Sequence, residues 1–205
     1  GSVTLRTPAS QTAPTEIEHG VVYLAKAGSL LEFKDKSKLG FRTYLCFVEP
    51  ENSKQTLVGK RREQFGELFQ WVDPDGKIRV VEGPEFKYLV DKKAFTADYW
   101  IITNDFSDMG FRLMTREEIP RVEMDNMVSE AVADGTVQLT PKGPIILLKH
   151  RQTVGGYPRI FNIISADVDI LGQYAPGQVL QFKKVSIEDA LSVAKEKEKA
   201  FSRIS

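Results

Sequence analysis

The chain has 205 residues, and its 28 lysines plus arginines balance 28 aspartates plus glutamates. That balance excludes the basic surplus by which nucleic-acid binders displace phosphate counterions, and it offers no pull toward an anionic membrane surface. Apolar residues make up 41% of the chain, enough for one ordinary core or two small ones and too many for a disordered polymer.

Gly1-Ser2 reads as a cloning scar. Residues 3–18 (VTLRTPASQTAPTEIE) are rich in Thr, Ser, Ala and Pro without apolar period, which predicts a flexible leader over 1–18. From His19 to residue 205 short apolar runs recur between Gly, Pro, Asp and Lys clusters. This region is expected to fold as one unit or as two small subdomains, about 19–76 and 77–205. The runs VVYLA (21–25), LLEF (30–33), TYLCFVE (43–49), LFQWV (68–72) and KIRVVE (77–82) predict strands. So do YWIIT (99–103), GTVQLT (135–140), PIILLKH (144–150), RIFNIIS (159–165) and QVLQFKKV (178–185). Asp73-Pro74-Asp75-Gly76 and Pro176-Gly177 carry turn chemistry, with glycine free to take positive φ. Many short strands at this spacing point to a mainly β, closed or sandwiched antiparallel architecture rather than βαβ units. A short helical segment is expected from Glu82-Gly83-Pro84-Glu85 through about Lys93. A C-terminal helix is expected from Ser186, which can cap it, with Ile187, Ala190, Leu191 and Ala194 on one buried face and a solvated charged tail, 195–201.

Several chemistries are missing. The chain has no nucleophile elbow, no phosphate loop and no paired histidines on a helix. Its only histidines, His19 and His150, lie in unrelated segments, so no metal site is expected. Cys46 is the single cysteine and cannot make an internal disulfide. It sits in an apolar strand pattern as an inert thiol, consistent with a reducing, cytoplasmic setting. No apolar run approaches the roughly 18 residues of a spanning helix.

Three segments could carry chemistry. Residues 150–158 (HRQTVGGYP) join two apolar strands. Gly155-Gly156 lets backbone approach a ligand, Pro158 restricts Tyr157 to extended conformations, and Arg151 offers a planar fork for a carboxylate, with Gln152 and Thr153 as neutral hydrogen-bonding groups. A decorated hairpin explains the same residues. Residues 104–112 (NDFSDMGFR) combine small polar groups with Gly110 and Arg112. An Asx-rich turn, or a local Asp108–Arg112 ion pair, accounts for them equally. Ser129-Glu130 leads through Asp134-Gly135 into the strand that carries Gln138, where a simple loop before a strand suffices.

In this order the three segments resemble the allophanate hydrolase subunit 2 family, which includes the C subunit of 5-oxoprolinase, KipA-type proteins and the carboxyltransferase region of urea carboxylase. Arg151, Gln152, Thr153, Gly155, Gly156, Tyr157 and Pro158 match its Arg-Gln-Thr-x-Gly-Gly-Tyr-Pro loop. Ile164, Ser165, Ala166 and Asp167 match the end of its next strand. IRVVEGPE (78–85), SDMGFRL (107–113), and Ser129-Glu130-Ala131 with GTVQ (135–138) match further segments. The chain departs at His150, where the pattern has Asp, and it lacks the pattern's glycine-rich N-terminal half.

The resemblance implies cyclophilin-like antiparallel β-barrels with a C-terminal helix. It implies a shortened bacterial subunit of a 5-oxoprolinase, amidolyase (hydrolase) or biotin-dependent carboxyltransferase type system, acting on a small amide or carboxylate with a subunit 1 type partner. Arg151, Gln152, Thr153, Gly155, Gly156, Tyr157, Arg112, Ser129, Glu130 and Gln138 are the implied substrate-binding residues. The chain has no Met-Lys acceptor dipeptide, so biotin is expected only in trans. A non-catalytic module that keeps the barrel and contacts a partner protein is the alternative.

Overall fold

A computed structural model describes residues 3–6, 14–17, 23, 25, 27–34, 71–123 and 127–202. Strands β1 (Val3–Arg6), β2 (Thr15–Ile17) and β3 (Leu30–Phe33) form a three-stranded antiparallel sheet in the order β2-β1-β3. Residues 3–6 and 15–17 are therefore not the loose leader expected from their composition. Val3 and Leu5 are buried, and pairing to β3 supplies the partners that a Thr- and Pro-rich segment cannot announce by itself. The expected strand at 43–49, Cys46 and His19 lie outside the described residues, as does most of 21–25. The described part of LFQWV, Trp71 and Val72, is turn and bend rather than strand.

The remaining strands are β4 (Ile78–Glu82), β5 (Trp100–Phe106), β6 (Gly110–Met114), β7 (Glu130–Ala131), β8 (Thr136–Thr140), β9 (Gly143–Leu147), β10 (Val154–Gly155), β11 (Arg159–Ile163), β12 (Val179–Leu180) and β13 (Phe182–Lys184). Eight of them make one sheet in the order β12-β5-β6-β9-β8-β11-β4-β13. The two edge strands are separated in sequence only by Gln181, whose carbonyl accepts from the Ile78 amide at 2.9 Å. One extended segment therefore pairs with β5 through its first half and with β4 through its second, drawing the two edges of the sheet together into a barrel. The pairing is antiparallel except at β13–β4, which is parallel. Gly76 (φ 69°) and Gly177 (φ 86°) take the left-handed turns expected of them.

Alternate side chains fill the barrel. Ile78, Val80, Trp100, Ile102, Phe111, Leu113, Val137, Ile146, Phe161 and Phe182 belong to one buried cluster. Helix α1 (Ala94–Ala97) drops Phe95 into its centre, with ring centroids 4.6 Å from Trp100 and 5.3 Å from Phe161. The helix expected between residues 82 and 93 is instead a single 3-10 turn, Phe86–Tyr88, followed by α1.

Helix α2 (Ser165–Leu171) stands where the sequence pattern ended a strand. Helix α3 (Ile187–Ser202) begins as expected, with the Asp189 amide donating to Ser186 Oγ at 3.0 Å. Its packed face keeps Ala190 of the expected residues but not Ile187 or Leu191. Ala190, Val193 and Ala200 lie against Trp71, Ile164 and Ala166, while Ile187 and Leu191 are 65% and 58% exposed. These small side chains let the helix approach the barrel wall. Lys197 lays its ammonium 4.6 Å over the Trp71 ring and donates to the Ala166 carbonyl. No helix among the described residues is long and apolar enough to cross a membrane.

Candidate functional site

The outer face of the sheet carries a polar row. Registration places Arg112 (β6) opposite Ile145 (β9), Ile145 opposite Gln138 (β8), and Gln138 opposite Arg159 (β11). Outward residues of a barrel strand are usually wet, yet Thr136, Gln138 and Thr140 are almost fully buried. A polar floor that is buried needs its hydrogen bonds met. Thr136 Oγ1 accepts from the Ala133 amide and donates to Asn162 Oδ1, Gln138 Nε2 donates to the Tyr157 carbonyl at 3.1 Å, and Thr140 Oγ1 donates to the Gly143 carbonyl at 2.7 Å.

The cover is a small flap. β7 and β10 form a two-stranded ladder in which Glu130 faces Gly155 and Ala131 faces Val154. The flap rests directly on Gln138: a Cβ at position 155 would lie 2.4 Å from Gln138 Nε2. At position 156 it would lie 3.2 Å from Ser129 Oγ. Both glycines thus answer to close approach, Gly155 to the floor and Gly156 to the facing strand. Ser129, Glu130, Gln152, Thr153, Gly156 and Tyr157 are exposed along this flap.

Four arginines organise the surroundings, each with a carboxylate. Arg159 grips Glu85 at two points, Nε–Oε2 at 2.9 Å and Nη2–Oε1 at 2.8 Å, reaches Glu130 at 2.6 Å, and donates from Nη1 to the Ala131 carbonyl. The Arg159 hydrogen bonds hold the Glu85 carboxyl below its ordinary value against the opposing effect of burial. Arg151 pairs with Asp134 and donates from Nε to the Val132 carbonyl. Arg112 donates from Nε to Asp105 at 2.9 Å and from Nη1 to Thr140 Oγ1 at 2.8 Å. Arg79 is tied to fully buried Asp167.

The structure thus brings Ser129, Glu130, Gln138, Gly155, Gly156 and Tyr157 together, with Arg112 two strands along the floor and Arg151 at the flap's root. The local ion pair considered for Asp108 is not with Arg112. Asp108 meets His150 Nδ1 at 2.8 Å, and that hydrogen bond holds the Asp108 carboxyl below its ordinary value. Arg112 turns the other way because β5 bulges between Ile102 and Phe106, aiming Asp105 at it. Arg159, Glu85, Asp134, Asp105 and Thr140 are additional members of the site. Four of them had a signal in the sequence: Glu85 closes the IRVVEGPE segment, Arg159 follows Pro158 directly, Asp105 lies in the 104–112 segment, and Asp134 precedes Gly135.

Residues 48–184 match the family of the carboxyltransferase domain, subdomain A and B. The chain is 29% identical over 200 residues to the C subunit of 5-oxoprolinase from Escherichia coli K12, covering 96% of this chain and 58% of that protein. It is 27% identical over 206 residues to the 5-oxoprolinase C subunit of Haemophilus influenzae, covering 86% of this chain and 66% of that one. The chain therefore spans less than two thirds of the length of either relative. Among solved structures it is similar to the urea amidolyase of K. lactis, with a TM-score of 0.57 at 21% identity over 63% of this chain and 8% of that one. The urea carboxylase of Kluyveromyces lactis gives the same score over 12% of its length. These two likenesses concern the fold.

Proposed function

Because the chain belongs to the carboxyltransferase domain family, subdomain A and B, we propose that it serves a 5-oxoprolinase, amidolyase or carboxyltransferase type system, binding a small amide or carboxylate together with a subunit 1 type partner. The observation that carries this reading is the seating of the Gly155-Gly156 flap on a buried polar floor. Backbone, Gln138, Ser129 and Glu130 converge there from three separate stretches of sequence. Such convergence of a few polar groups beside one flap suits recognition of a small polar molecule. In this reading the exposed Ser129, Glu130, Gln152, Thr153 and Tyr157 contact the ligand. Arg112 and Arg151 supply positive charge, and any biotin arrives on another protein.

Calorimetric titration of 5-oxo-L-proline into the chain, alone and with its subunit 1 type partner, tests it. Saturable binding, weakened about tenfold by Ser129→Ala combined with Glu130→Gln, is the expected result. Absence of binding in both preparations removes the substrate-site reading and leaves the second one, a partner-contacting module without catalysis. One observation favours that second reading: Arg112, Arg151 and Arg159 all have carboxylate partners within the chain.

A further inference from the structure

Resting on the small-carboxylate reading above, we propose that Arg112 is the anion-binding group of the site and that Asp105 occupies its carboxylate position as an exchangeable internal stand-in. Of the four guanidiniums around the site, three have a main carboxylate partner that is largely enclosed, Arg159 reaching exposed Glu130 as a second one. Side-chain exposure is 0% for Asp167 with Arg79, 9% for Glu85 with Arg159 and 30% for Asp134 with Arg151. Asp105, by contrast, is 71% exposed. A solvated carboxylate gains little from a single ion pair and gives it up easily.

The grip differs as well. Arg79 and Arg159 each present the Nε–Nη2 edge to both oxygens of a carboxylate. Arg112 offers the same edge to Asp105 but makes one contact, Nε to Oδ2. No described residue engages Arg112 Nη2. The edge is built for a two-point carboxylate and holds a one-point one.

The guanidinium does not depend on Asp105 for its position. Nη1 is fixed by Thr140 Oγ1, itself buried and anchored to the Gly143 carbonyl. Beside it along the sheet lies Ile145, half-buried, and then Gln138 under the flap. Asp105 stands on β5, on the side of β6 away from Ile145 and the flap, so a small carboxylate in its place would extend over the β5 side of Arg112. Asp105 sits within the β5 bulge, where the strand is released from regular pairing and the side chain can swing away. The ligand class is a small organic carboxylate.

The test is an NMR titration of ¹⁵N-labelled protein with acetate, 5-oxo-L-proline and pyrrolidin-2-one, which has the ring without the carboxylate. Wild type, Asp105→Asn, Arg112→Gln and Arg112→Lys are compared, with melting temperatures checked for each. The two carboxylates are expected to shift the amides around 110–114 and 139–145, and the neutral lactam is not. Asp105→Asn tightens carboxylate binding about two- to fivefold by removing the competitor. Arg112→Gln weakens it at least tenfold, and Arg112→Lys recovers only part. Unchanged or weaker carboxylate binding in folded Asp105→Asn overturns the proposal. So does binding of 5-oxo-L-proline that is indifferent to Arg112, which leaves the substrate reading intact. Acetate responding to both substitutions while 5-oxo-L-proline does not bind supports the Arg112 site and overturns the substrate reading instead.

Discussion

Asp167, at the start of α2, and Arg79, on β4, form a two-point ion pair across 88 residues of sequence, with Nη2–Oδ1 at 2.5 Å and Nε–Oδ2 at 3.0 Å. The same carboxylate accepts from the Arg79 amide at 2.8 Å, and the guanidinium donates to the Trp71 carbonyl at 2.6 Å. The side chains are 9% exposed for Arg79 and 0% for Asp167. One interaction thus joins the barrel wall, the helix that follows β11 and the chain segment entering β4. A buried charge left alone is far more costly than the pair is stabilising. Asp167→Ala is therefore expected to destabilise by about 3–5 kcal/mol, whereas the pairwise replacement Arg79→Met with Asp167→Leu recovers much of that loss. Urea denaturation of the three proteins checks this. A single substitution costing under about 1 kcal/mol would contradict the buried geometry.

That pair also shows where sequence reasoning reached and where it stopped. Asp167 was visible in the Ile164-Ser165-Ala166-Asp167 match, but a motif carries no burial, so nothing distinguished a structural carboxylate from a functional one. The barrel was legible because its strands alternate apolar and polar over five residues, as Thr136 to Thr140 do. Such alternation cannot reveal that the polar face of β8 is also buried, since the flap that covers it is two residues wide on each side. The mutual placement of Ser129, Gly156 and Gln138 followed from the family resemblance rather than from spacing. Within the 104–112 segment, the pairing of Arg112 with Asp105 and not Asp108 was not legible, because a bulge decides the direction of Asp105. On α3, periodicity placed Ile187 and Leu191 beside Ala190 and Ala194, whereas the docking surface takes Ala190 with Val193 and Ala200.

Glycine at 155 and glycine at 177 are required for different reasons, which substitution separates. Gly177 needs its positive φ and has nothing within 4 Å of a Cβ. Gly177→Ala should cost about 1–2 kcal/mol of backbone strain and leave the flap untouched. Gly155 has no such dihedral, but its Cβ would strike Gln138 at 2.4 Å. Gly155→Ala is expected to lift β10 from the floor and break the Gln138–Tyr157 hydrogen bond. Hydrogen exchange should then accelerate over 130–132 and 153–157 while the barrel strands stay protected. Equal exchange in the two variants would show that the flap is not seated on Gln138.

Acid should weaken the Glu85–Arg159 clasp in a defined direction. The hydrogen bonds from Arg159, opposed by burial, hold Glu85 below its ordinary value of 4.5 in the folded chain. A depressed carboxylate contributes stability that is fully present above its unfolded value and is lost as pH falls through the folded one. Wild type should therefore lose stability steadily below about pH 4.5, where the unfolded chain takes up more protons. Glu85→Gln should be less stable than wild type at pH 7 and show a shallower decline in that window. Denaturant midpoints measured from pH 7 to pH 3 decide the matter: parallel curves for the two proteins would mean that the carboxylate does not feel Arg159.

The C-terminal helix offers a direct contest between apolar size and actual contact. Leu191 is larger than Val193, yet it is 58% exposed while Val193 packs on the Trp71 cluster. Leu191→Ser should change stability by no more than about 0.5 kcal/mol. Val193→Ser should cost about 1–2 kcal/mol, because its methyls leave a contact with Trp71, Ile164 and Ala166. Trp71 reports the same contact optically. The other tryptophan, Trp100, is fully buried in the barrel against Phe95 and provides an internal reference. Ending the chain at Ser186 removes Lys197 from the face of Trp71 together with the Ala190, Val193 and Ala200 stripe. Emission should then shift to longer wavelength through Trp71 alone, and the melting temperature should fall. Leu191→Ser proving costlier than Val193→Ser, or a truncated chain with unchanged emission, would place the docking face on the side of the helix that periodicity alone selects.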